Sequence, residues 1–193
     1  HTFGLDFENS YENEIKTIFN IENSKVNLFE SYCETWTRII NIIFIGIELE
    51  TPLNIKNTIL NIEFLIYNEI GFSLFQKYKI LKHMNISYLD LITNKNKKHI
   101  WKENTNVFSY YIISALLITN INDFFKFNVN KPSLLQFDDI EDGMVKYLNL
   151  IKKNYNNKSY FKKLDSVDKM FFDIDKMNNK ELLKTCKMTL FDL

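Results

Sequence analysis

Two carboxylates and a guanidinium stand four residues apart in the stretch NLFESYCETWTRIINIIFIGIELE, positions 27–50. Glu30, Glu34 and Arg38 share one face if this stretch is a helix, because positions four apart are neighbours there. Two like charges at that spacing repel, and repel more strongly when buried. Glu34 preceding Arg38 is the order that favours pairing, and Arg38 is the only arginine in the chain. The economical assignment pairs Glu34 with Arg38 and leaves Glu30 pointing to something else. A carboxylate withdrawn from water needs a cation, a hydrogen-bond donor or a metal, so a metal is one candidate for Glu30. The same two acids also suit the positive end of a helix dipole.

The elements that must position these groups read as helices. The run from Ile39 to Ile47 is apolar on almost every side. That predicts a central helix from about Leu28 to about Glu50, covered on all faces and ended before Thr51-Pro52. A short helix is expected within 9–20. A second long pattern, 54–84, is expected to break into two helices near Gly71 and Ser73. Ser87 caps a short turn over 88–92. A second strongly buried helix covers 105–119, and a further turn 122–127. Amphipathic spacing predicts helices over 139–154, 159–172 and 179–186. Loops fall at 93–103 and 128–137, with a short extended piece at 134–137, and the apolar tail 188–193 is expected to pack as an extended segment. No strand alternation and no hairpin signal interrupts this pattern. The chain is therefore expected to be a single, mainly α-helical domain, built around the central helix.

Composition narrows the function classes. The chain has 193 residues, 46% of them apolar and 15% aromatic, enough for one core and too apolar for global disorder. Net charge is zero, without the basic, arginine-bearing excess of a nucleic-acid binder. No nucleic-acid partner is expected, although a lysine- and asparagine-rich loop at 94–102 is the one place it would bind. The apolar runs at 39–47 and 107–118 fall short of the roughly 20 residues of a bilayer span, so no membrane partner is expected. Cys33 and Cys186 suggest no disulfide framework and fit a reducing, intracellular (cytoplasmic) setting. Heavy use of Asn, Ile, Lys and Phe points to an AT-rich genome. The chain opens at His1, which reads as a fragment truncated at its N-terminus. Cys33 lacks a nucleophile motif; two neighbouring acids should raise its pKa, and core packing is its expected role. His83 and His99 read as surface residues. There is no phosphate-binding glycine motif.

A resemblance starts at the first residue. HTFGLDF, positions 1–7, resembles the stretch that begins at the second histidine of an HExxH zinc-peptidase motif. His1 would be that histidine and Gly4 the end of the active-site helix. The metzincin version requires a third ligand where this chain has Phe7, with Asp6 one place early, and fails. The gluzincin version takes its third ligand from a later helix with the pattern Glu-x-aromatic-small-Glu, which Glu30-Ser31-Tyr32-Cys33-Glu34 matches. The resemblance, to viral metallopeptidase-like gluzincins, is confined to about the first 36 residues. It implies His1 and Glu30 as zinc ligands, with Glu34 and Arg38 behind them. It also implies that Tyr110 or Tyr111, in the second buried helix, stabilises the oxyanion. Zinc would be the cofactor of the intact parent protein and a peptide or protein its substrate. A catalytic zinc of this class needs three protein ligands and a water, with the HExxH glutamate as base. The chain would therefore be a C-terminal part, inactive without the first His and the Glu. The alternative is a non-catalytic helical interaction or structural module.

Overall fold

Asn27 sets the start of the central helix. Its side chain accepts hydrogen bonds from the backbone N–H groups of Phe29 and Glu30, at 3.1 and 3.3 Å, satisfying two of the donors a helix start leaves open. The computed structural model describes residues 11–22, 24–94, 101–103, 105–129, 140–174 and 184–191. Within them the chain is mainly helical: α1 (Glu12–Ile18), α2 (Leu28–Glu48), α3 (Ile55–His83), α4 (Tyr88–Thr93), a π-helical turn (Phe108–Ile113) running into α5 (Ser114–Thr119), α6 (Ile121–Val129), α7 (Ile140–Asn154) and α8 (Lys158–Ile174). No strand forms among the described residues, and none of their helices is long and apolar enough to cross a membrane. The helix expected over 179–186 and the extended piece at 134–137 lie wholly or mostly outside the described residues.

Local chemistry ends the helices as well as starting them. Asn20 and Asn85 follow α1 and α3 with φ of 50° and 52°, a conformation asparagine tolerates better than most residues. Ile21 N–H then reaches back to Lys16 C=O, and Ile86 N–H to Leu81 C=O, each at 3.0 Å. These are the six-to-one bonds of a Schellman ending. Ser87 and Asp90 form a reciprocal capping box on α4, as the serine predicted.

The core is aromatic. Phe19 meets Phe108 edge-on at 5.1 Å, and Phe108 meets Trp101 at 5.2 Å. Elsewhere in the same core, Tyr32 of α2 packs against Phe124 and Tyr147 at 5.7 and 5.5 Å. α2 contributes Leu28, Tyr32, Trp36, Ile39 and Ile42 to this core, the three- and four-residue spacing of one buried face.

Two expectations need correction. The central helix is not covered on all faces: Ile43, Phe44 and Ile47 are 37%, 57% and 43% exposed. An apolar composition does not supply neighbours, and beyond Ile39 burial in α2 is confined to Ile42 and Gly46. The long pattern 54–84 does not break at Gly71. α3 is continuous from Ile55 to His83, because Ser73, Leu74, Phe75 and Gln76 beyond it are all buried and hold the second half in line. A mid-helix glycine costs only about 1 kcal/mol, less than such burial returns.

The two helical glycines should therefore respond oppositely to alanine. A Cβ at Gly71 meets nothing within 4 Å, so Gly71→Ala should stabilise by about 0.5–1 kcal/mol. A Cβ at Gly46 would lie 2.4 Å from Cγ1 of Ile62. Here overpacking of about 1–3 kcal/mol outweighs the propensity gain, and Gly46→Ala should destabilise. Urea midpoints of the two variants check the sign of each.

Candidate functional site

The side chains singled out at the head of α2 divide as their spacing suggests. Arg38 Nε donates to Glu34 Oε1 at 2.8 Å, so Glu34 is neutralised within its own helix. Glu30 is half-exposed and its Oε2 accepts a hydrogen bond of 2.8 Å from the Tyr110 hydroxyl. The partner of Glu30 is thus a neutral phenol.

Tyr110 reaches Glu30 from the π-turn. Such turns are rare and concentrate at functional sites, because widening the helix re-aims side chains. The Tyr110 carbonyl accepts 3.3 Å from Arg38 Nη2 and also accepts from the Ser114 hydroxyl. One guanidinium therefore anchors the backbone of the residue whose hydroxyl touches Glu30. Burial, and then the hydrogen bond to Glu30, push the Tyr110 phenol up to about 12. It remains a protonated donor at neutral pH. For Tyr111, burial raises the pKa too, and the charges acting on it are those of Cys186, Arg38 and Glu34.

Arg38 is the hub. Its side chain is 2% exposed, and Nη1 donates to Ser73 Oγ of α3 at 2.6 Å and lies 3.8 Å from Glu69 Oε1. Glu69 is fully buried. Its Oε2 accepts from Leu190 N–H at 2.9 Å and from the Thr189 hydroxyl at 3.0 Å, while Oε1 has no hydrogen-bond donor. Burial raises the Glu69 pKa; Leu190 N–H and Arg38 oppose it. The apolar tail is pinned to the rest of the fold here, and Asn41 Nδ2 adds a bond of 2.7 Å to Phe191 C=O.

The sequence reading missed Glu69. It stands four residues after Leu65, which is buried on the same helix, and the chain has one arginine to answer a buried acid. That coincidence was the available signal.

Cys33 is half-exposed rather than packed in the core. The expected rise of its pKa holds: burial, then the charge of Glu30, push it up to about 11. His83 is on the surface. His1, Gly4 and His99 lie outside the described residues. Among the described residues no three His, Cys, Asp or Glu side chains come together as a metal-binding group.

A second unforeseen centre lies elsewhere. Lys77, 1% exposed, donates 2.6 Å to the Tyr160 hydroxyl and sits 3.4 Å from the centre of the Tyr88 ring. Burial holds it well below the usual lysine value. It borders a cavity of about 370 Å³ with Lys82, Asp90 and Asp168, and that cavity contains none of Glu30, Glu34, Arg38, Tyr110 or Tyr111. Comparison of the chain with protein-family models, with curated proteins and with solved structures finds no match.

Proposed function

We propose that this chain is the C-terminal part of a gluzincin-like zinc metallopeptidase, hydrolysing peptide bonds of a peptide or protein substrate. The observation that carries the reading is the unequal treatment of two adjacent acids. Glu34 is spent on Arg38 at 2.8 Å, whereas among the described residues no ion pair joins Glu30 to a cation and it faces a phenol. A ligand carboxylate needs that condition: charged, half-exposed and not already neutralised.

The residues fit the group in part. Glu30 supplies one of the three protein ligands a catalytic zinc requires. The resemblance assigns the others to His1, outside the described residues, and to a histidine preceding it. Zinc, when bound, would lower the pKa of a water molecule and make it a nucleophile at neutral pH. The chain's own contribution is positional. Asn27 fixes the first turn of α2, Arg38 withdraws Glu34 from competition for a cation, and Tyr110 offers a hydroxyl donor beside Glu30. A donor of this kind is suited to an oxyanion that develops on a substrate carbonyl. By this reading catalysis requires the glutamate of the HExxH motif as general base.

Zinc stoichiometry tests the reading. A protein extended upstream of His1 should hold one zinc per chain, measured by elemental analysis after dialysis. Glu30→Gln should abolish retention, and Glu34→Gln should weaken it by roughly 10–100-fold, as groups behind a ligand do. An upstream sequence without His and Glu at the two motif places, or unchanged zinc in Glu30→Gln, would end the proposal. The alternative reading, a helical interaction module, draws on the exposed apolar side chains between residues 43 and 67.

A further inference from the structure

Fifteen large apolar side chains are exposed among the described residues, and ten of them fall between 43 and 67. They are Ile43, Phe44 and Ile47 on α2, Leu49 and Leu53 in the connection, and Ile55, Ile59, Leu60, Phe64 and Tyr67 on α3. This concentration makes them one feature rather than scattered surface residues. The contacts Gly46–Ile62 and Arg38–Ser73 run in opposite directions along the two helices, so α2 and α3 are antiparallel.

Each residue turns about 100° round a helix. Counted from the inward positions Gly46 and Ile62, residues 43, 47 and 44 and residues 59, 67 and 60 all turn in the same sense. The same sense about opposed axes points to one side of the pair. Six large apolar side chains on one side of the pair are a patch rather than scattered surface residues, and such patches mark interaction sites.

We propose that this face seats a second copy of the chain, with α3 lying antiparallel on its counterpart about Ile59 and Leu60. The sequence of the face is complementary to itself in that register. A two-fold axis between 59 and 60 sets Ile59 against Leu60 and Lys56 against Glu63, each pair occurring twice. Lys56 and Glu63 are both exposed and by the same 100° count lie between Ile59 and Leu60 around α3, where paired charges fix register. A lipid surface fits less well. Glu48 and Glu63 are exposed and Glu50 half-exposed, against Lys56 as the one lysine between 43 and 67, and a net-acidic surface is repelled by anionic headgroups. The inference is independent of the peptidase reading.

Sedimentation equilibrium of the 193-residue chain tests it, at ionic strength low enough to leave Lys56 and Glu63 unscreened. The chain should sediment at twice its mass. Ile59→Glu and Leu60→Glu, both at exposed positions, should raise the dissociation constant roughly 100-fold with an unchanged far-ultraviolet spectrum. Lys56→Glu should weaken the dimer by roughly 10-fold, and Lys56→Glu combined with Glu63→Lys should recover it. A monomer at all concentrations overturns the proposal. So does a dimer indifferent to Ile59→Glu and Leu60→Glu, or one that Lys56→Glu weakens and the double variant fails to restore. Binding of the monomer to vesicles of zwitterionic and anionic lipid, in place of self-association, would assign the face to a membrane and also overturn it.

Discussion

Arg38→Ala should cost about 3–5 kcal/mol of stability, the penalty of removing one partner from a buried charge network. Three interactions are lost together: the bond to Glu34, the bond to Ser73 and the anchor on the Tyr110 carbonyl. The larger loss is indirect, because Glu69 stays fully buried with no cation. The pH dependence identifies it. Burial already raises the Glu69 pKa above the usual carboxylate value in the folded protein. Between those two values the folded state holds more protons than the unfolded state, so stability falls as pH rises through that window. Removing Arg38 takes away an attraction that lowers the Glu69 pKa, so the window extends upward. The deficit of Arg38→Ala should be full above the folded Glu69 pKa and should shrink toward acid, where Glu69 is neutral in both proteins. Urea unfolding across pH measures this. Arg38→Met with Glu69→Gln should recover much of the loss at neutral pH. Arg38→Lys should not, since a single ammonium cannot meet Glu34, Ser73 and the Tyr110 carbonyl at once. A deficit independent of pH and unrelieved by Glu69→Gln would show that Arg38 acts by packing alone.

The fold was largely legible because its helices are long and their apolar spacing is regular. Ser87 announced α4, and the buried positions of α7, among them Met144, Tyr147, Leu148 and Ile151, fall where the periodicity put them. Failures came where a local rule met a tertiary fact. Glycine in the middle of α3 suggests a break, yet the helix continues because its far half is buried. The apolar run of α2 suggests complete burial, yet no periodicity reveals how many neighbours a helix will have. The π-turn at 108–113 was invisible, since its residues read as an ordinary buried helix.

The candidate site was legible in its short-range part. Glu34 and Arg38 are four apart on one helix, and their pairing needs only helical geometry. That Glu30 needed a partner also followed from charge. The identity of that partner required the π-turn, which brings Tyr110 across 80 positions of sequence. Glu69 and Lys77 were missed because each is an ordinary charged residue in an amphipathic stretch. The packing of α3 against α2, α4, α8 and the tail at Thr189 and Leu190 takes them from water.

Phe108→Ala should cost about 3–5 kcal/mol, as aromatic truncations in a close-packed core do. Phe108 is fully buried and meets Phe19 and Trp101 edge-on, at interplanar angles of 71° and 90°. It is also the first residue of the π-turn, so the cavity would open directly beneath the segment that aims Tyr110. The effect should therefore reach the site. Tyr110 is held at about 12 by burial and by its bond to Glu30. If the turn relaxes, both causes weaken and its phenol should titrate closer to the ordinary tyrosine value of about 10. Ultraviolet pH titration, with Tyr110→Phe identifying the step that belongs to this residue, reads the shift. Leu148→Ala in α7 is the control: Leu148 is buried, lies outside the π-turn, and should lose about 2–5 kcal/mol while leaving the Tyr110 step in place. Equal displacement of that step in both variants would mean that the site follows the stability of the whole domain. Displacement in Phe108→Ala alone would mean that the aromatic seat of the π-turn holds Tyr110 against Glu30.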